Sequence, residues 1–96
     1  RQQVEWLGVV WTPVTGDALS AFGVRFDQSG YTPSDIQKTS AAYKAGLRKG
    51  DLLIDVDGVR VSDTGSMTKC ASQKKKTMRL NIMRKQQPMT LTVTLR

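Results

Sequence analysis

The sequence predicts an α+β fold, mainly β: a small, partly open β-barrel or sandwich of five to six strands with two to three short helices. Three observations predict it. Short runs rich in β-branched and aromatic residues recur along the 96-residue chain, separated by Gly, Pro, Asp and Ser clusters, the pattern of several strands closing on one core. Helical spacing occurs only in brief stretches. A chain of this length buries roughly 60–70% of its unfolded surface, which is one modest core and one domain.

The elements follow in order. Residues 1–4 are polar and read as the end of a linker, with the domain over 5–96; Arg1, in place of an initiator methionine, reads as a piece of a longer chain. "WLGVVWTPV", Trp6 to Val14, reads as one strand with a glycine near its start. "DALSAF", Asp17 to Phe22, reads as a short helix with Asp17 as its cap. Val24 to Ser29 reads as loop, and "GYTPSDI" as a poorer strand, because Pro33 cannot donate to a ladder.

Ser40 to Val61 is the most regular stretch. Thr39 or Ser40 can cap a helix of one to two turns through Ala41, Ala42 and Ala45. Gly46 stands where a left-handed residue ends a helix, and Leu47 where an apolar contact closes a Schellman motif. Gly50 turns the chain again. In "LLIDV", Leu52, Ile54 and Val56 alternate toward one face, with Asp55 on the other. Asp57-Gly58 is a hairpin signal. Asp63 to Ser72 reads as a weak helix with Met67, Cys70 and Ala71 on one side. Gln73 to Thr77 is a basic loop. Met78–Arg84 and Met89–Leu95 form a closing hairpin across "KQQP", with Leu80, Ile82, Leu91, Val93 and Leu95 inward.

Composition excludes several chemistries. There is no histidine and one cysteine. Ser-His-Asp and Cys-His nucleophiles, an internal disulfide and the usual zinc sites are therefore out, and no cofactor is expected. Asp55-Val56-Asp57-Gly58 resembles part of a calcium loop, but the ligand spacing fails, with Leu53 and Thr64 at its first and last positions. Net charge is +7, unevenly placed: all eight acids precede Thr64, and Thr64 to Arg96 carries eight basic residues. That surface is either a solvated face or an attractor for an acidic partner. No aromatic residue interleaves with Lys74-Lys75-Lys76, so nucleic acid is not expected.

These residues resemble a PDZ domain of the bacterial HtrA/Deg serine protease type. A small-residue helix, then Ala45-Gly46-Leu47, Gly50-Asp51, the strand Leu52 to Val56 and the Asp57-Gly58 turn carry the likeness. Trp6-Leu7-Gly8-Val9 is similar to that family's carboxylate-binding loop, and Met78 to Leu95 to its last hairpin. Pro33 and the small side chains of the late helix depart from the family pattern. The resemblance implies a non-catalytic module that captures extended peptides or protein C-termini with an apolar last residue by strand addition. Such a module serves substrate recognition or regulation in an HtrA-like protease, or contacts neighbouring domains, in a periplasmic or other extracytoplasmic setting.

On that reading the carboxylate meets backbone N–H groups at Leu7, Gly8 and Val9, with Trp6 beside them. The peptide adds to an open edge along Val9, Val10, Trp11 and Thr12. Met67, Cys70 and Ala71 wall the groove, and Lys69, Lys74, Lys75 and Lys76 select acidic upstream residues. The plainer readings are an edge strand with a glycine bulge, core positions for Met67, Cys70 and Ala71, and a solvated lysine loop. The alternative function is a vestigial groove, with the basic last third docking an acidic partner or a membrane surface.

Overall fold

The computed structural model describes residues 3–22 and 29–95. Seven strands, two α-helices and a 3-10 helix follow the order β1 (Val4–Trp6), β2 (Val9–Val14), the 3-10 helix (Gly16–Phe22), β3 (Gly30–Ile36), α1 (Ala41–Lys44), β4 (Leu52–Val56), β5 (Val59–Arg60), α2 (Thr64–Ala71), β6 (Thr77–Arg84) and β7 (Gln87–Thr94). One antiparallel sheet runs β1-β2-β3-β4-β6-β7, with β5 paired to β4. The expected loop at Val24–Ser29 lies, but for Ser29, outside the described residues, and so does the expected capping side chain of Asp17.

Local chemistry explains the middle of the chain. The Ser40 hydroxyl accepts from the Tyr43 N–H and caps α1. Gly46, at φ +111°, then ends it: the Gly46 N–H donates to Tyr43 O and the Leu47 N–H to Ala42 O, both at 3.0 Å, which is the Schellman pair. Asp51, 1% exposed, accepts from the Arg48 N–H and from two nitrogens of Arg84 at 2.8 Å each. The Arg48-Lys49-Gly50-Asp51 turn is thus clamped to the end of β6. Asp63 caps α2 reciprocally with Ser66.

Three expectations change. The strand expected over Trp6–Val14 is two strands: Leu7 and Gly8 both take left-handed conformations (φ 61° and 72°), a type I′ pair that folds the chain back on itself. Val4 therefore opens a strand rather than closing a linker. The simple alternation of "LLIDV" is broken by a register shift between Leu53 and Asp55. Leu53 and Val56 enter the main core, while Leu52 joins Val14 and Leu19 in a second cluster under the 3-10 helix, so both faces of β4 are covered. The last hairpin turns at Lys85-Gln86, again with left-handed φ at both, so β7 starts at Gln87. Pro33 is tolerated because it pairs with Trp11 just past a bulge in β2 and stands beyond the single β3–β4 register pair, Tyr31–Leu53.

Candidate functional site: the edge of β2 beneath α2

The floor of the site is β2. Val9 and Trp11 are buried in the main core, in one cluster with Met67 and Cys70 of α2. Thr64, the first residue of α2, brings its hydroxyl to 3.5 Å from that of Tyr31, and Tyr31 pairs with Pro13. The N-terminus of α2 therefore stands at the Pro13 end of β2, away from the Leu7-Gly8 turn. β2 and α2 contribute side chains to the same core cluster, and β1 lies against both.

The edge of β2 is not open, contrary to expectation. β1 pairs antiparallel with it, Val4 opposite Trp11, Glu5 opposite Val10 and Trp6 opposite Val9, and β1 also lies against α2. The Gln3 side-chain amide donates to Thr12 Oγ1 at 3.2 Å, carrying the contact one residue further. All of Val9 to Thr12 is thus covered by the preceding segment of the same chain. The cause is the Leu7-Gly8 turn, which reverses the chain within two residues. Val4, Trp6 and Leu7 pack against the core cluster. The Trp6 and Trp11 rings lie 6.4 Å apart at 43°, and Trp11 Nε1 donates to Trp6 O at 3.1 Å.

The expected residues separate into groups. Leu7, Gly8, Val9 and Val10 line a recess of about 370 Å³ at the turn, with Glu5, Trp6, Asp35 and Gln37. Trp6 belongs to β1, where it pairs with Val9 of β2. Met67 and Cys70 are buried in the core cluster and Ala71 is half-buried. Burial, and next the Asp57 charge, push the Cys70 thiol above its ordinary value, which disfavours its thiolate form. Lys69 and Lys75 share a second cavity, about 180 Å³, with Asp57, Val59 and Met78 on the β5 side of α2. Lys75 is paired with Asp57 at 3.0 Å. Lys74 and Lys76 are exposed.

Sequence reasoning missed Val4 and Glu5 as part of the site. The apolar-polar-apolar spacing of Val4, Glu5 and Trp6 was the available signal, but three residues make a weak period. Leu7, a branched residue at positive φ, hid the turn.

Comparison with known proteins gives a consistent set. A model of the PDZ domain family matches residues 20–95. A probable periplasmic serine endoprotease, DegP-like, from Bartonella henselae is 36% identical over 64 residues, covering 67% of this chain and 12% of that protein. One from Marinomonas sp. (strain MWYL1) is 30% identical over 93 residues, covering 94% of this chain and 19% of that protein. The chain therefore spans less than a fifth of the length of either relative. Among solved structures, a variant of the HtrA-type protease AlgW with a decapeptide superposes with TM-score 0.81 at 23% identity, over 97% of this chain and 28% of that one. The HtrA3 PDZ domain bound to a phage-derived ligand, FGRWV, gives 0.75 at 13% identity, over 96% and 86%.

Proposed function

The chain belongs to the PDZ domain family, in the form found in HtrA-type proteases, and from that premise we propose that it captures extended peptides or protein C-termini by strand addition beside β2. A PDZ domain is a binding module, so catalysis in any parent protein is the work of another domain. The observation that carries the proposal is β1 itself. β1 is an extended segment that runs antiparallel to β2 and lies against α2, with Trp6, its last residue, at the Leu7-Gly8 turn, and this arrangement supports the reading. A peptide ending in a free carboxylate would lie in the same direction, its carboxylate near the N–H groups of Leu7, Gly8 and Val9. Its last side chain would meet Leu7, Val9, Met67 and Ala71.

Burying one apolar side chain contributes about 1.5–3 kcal/mol, and a charge-assisted hydrogen bond about 1.5–3 kcal/mol. Ordering costs offset much of this, so affinity falls on the order of micromolar. Lys74 and Lys76 are exposed and would favour acidic residues in the ligand, each by a few tenths to about 1 kcal/mol, whereas Lys75 is held by Asp57 and Lys69 lies on the β5 side of α2. The setting would be extracytoplasmic, as for the periplasmic relatives. A peptide array tests the reading directly: peptides with apolar C-termini should bind, and their C-terminal amides should bind about tenfold more weakly. Equal binding of acids and amides would remove carboxylate capture.

One observation favours a second reading. With β2 covered and Lys69, Lys74 and Lys76 exposed, the basic last third could dock an acidic protein or membrane surface while the groove stays filled. Salt separates the two: charge-driven docking weakens steeply with ionic strength, groove capture only slightly.

A further inference from the structure

We infer that β1 is a built-in occupant of the peptide groove, and that external peptides bind by displacing it. This rests on the peptide-capture reading above. β1 has the direction, register and chemistry of a ligand. It runs antiparallel to β2 over Val9–Trp11 and Gln3 reaches Thr12. Val4 and Trp6 turn toward the core cluster, whereas Glu5 is exposed. The backbone carbonyl of Trp6 takes a hydrogen bond from the buried Trp11 indole.

Two physical features make the occupant removable. A three-residue strand has little stability of its own, and among the described residues β1 pairs only with β2. Yet it is tethered by two residues, so its effective concentration at the groove is on the order of millimolar or higher. An incoming peptide sees only the fraction of molecules in which β1 has left, and its apparent affinity drops by that fraction. The ligands that compete best are those sharing the occupant's pattern, an apolar residue and an aromatic residue flanking a polar one.

A reversible lock tests the inference on the full chain. Glu5 faces Val10, the first exposed and the second half-buried, and facing Cβ atoms in an antiparallel pair stand about 4.5–5.5 Å apart, near disulfide reach. The Glu5→Cys/Val10→Cys protein, oxidised, holds β1 on β2; reductant frees it. Cys70 is buried and stays out of the exchange. The probes are FGRWV and the free-carboxylate peptide RQQVEW, which copies residues 1–6. Oxidised protein should bind both at least tenfold more weakly than reduced protein. Val4→Pro, which puts a non-donor into the strand, should bind them about tenfold more tightly than the unaltered chain. Equal binding by oxidised and reduced forms, at measurable affinity, overturns the inference and leaves peptide capture standing. Failure of every form, Val4→Pro included, to bind either peptide removes both.

Discussion

The buried indole of Trp11 donates its Nε1–H to the backbone carbonyl of Trp6 at 3.1 Å. Trp11 is fully buried and belongs to the core; Trp6 belongs to β1, which pairs with β2. The bond therefore ties β1 to β2 through a side chain, in addition to the ladder. Trp11→Phe keeps an aromatic ring and deletes the donor. The lost hydrogen bond costs about 0.5–1.5 kcal/mol, with a cavity contribution on top. Amide exchange at Val4, Glu5 and Trp6 should accelerate more than exchange in β4 and β6. Uniform acceleration across the sheet would mean that the indole serves the core alone.

Gly8 is constrained from two directions. Its φ is +72°, and a Cβ there would stand 2.6 Å from the Cβ of Ser40, the cap of α1. Its carbonyl also accepts from the Gln37 N–H at 2.9 Å. Gly58 has φ +85° but open space around it. Gly58→Ala should thus lose only the conformational term, about 1 kcal/mol. Gly8→Ala should lose more, about 2–3 kcal/mol, because the cap must also shift. Chemical denaturation of the pair measures the difference; equal losses would show that Ser40 moves aside freely. Any effect of Gly8 on ligand binding has to be read against this stability loss.

Much of the fold was legible because its signals are local. Ser40, Gly46-Leu47 and Asp57-Gly58 each act within a few residues, and each stands where the sequence suggests. The register break in β4 was not legible, since alternation assumes one covered face and the 3-10 helix covers the other. Of the site, the placement of Val9, Trp11, Met67 and Cys70 around one cluster follows from their apolar spacing. The pairing of β1 with β2 does not. It depends on Leu7 adopting φ 61°, a conformation that costs a branched side chain energy and that only its packing against the core explains.

The Asp51–Arg84 pair should be the most sensitive polar contact. Asp51 is 1% exposed and accepts two guanidinium hydrogen bonds and the Arg48 N–H. Arg84 also donates to Gly46 O at 2.6 Å, so one guanidinium joins the end of α1 to the turn before β4. Asp51→Ala leaves a cation and an N–H without their acceptor. Breaking a buried pair costs about 3–5 kcal/mol; since the Arg84 side chain is 29% exposed, about 2–4 kcal/mol is expected here. Thermal unfolding checks it. A loss under about 1 kcal/mol would mean that water replaces the carboxylate at no cost.

Asp57 gives the fold a specific acid sensitivity. The Arg79 N–H donates to Asp57 Oδ1 at 2.9 Å, and Lys75 Nζ lies 3.0 Å from Oδ2. The backbone hydrogen bond, and after it Lys75, hold the carboxyl below its ordinary 3.8. The sign follows from linkage. A depressed folded-state value means that the unfolded chain takes up the proton first, so the stabilisation is complete above the unfolded value and is lost as pH falls through the folded one. Asp57→Asn isolates this, because Asn tolerates the left-handed φ of 51° at that turn. Near neutral pH the variant should be less stable by about 0.5–1.5 kcal/mol, chiefly because a neutral amide oxygen accepts the Arg79 N–H more weakly than the carboxylate does. The Lys75 pair adds little because that lysine is 44% exposed. Urea midpoints of the two proteins should converge as pH drops below about 4, since protonated Asp57 then resembles Asn. Asp63, also held low by its cap on Ser66, titrates in both proteins and cancels from the difference. A gap that stays constant down to strongly acid pH would show that the Asp57 charge contributes nothing to folding.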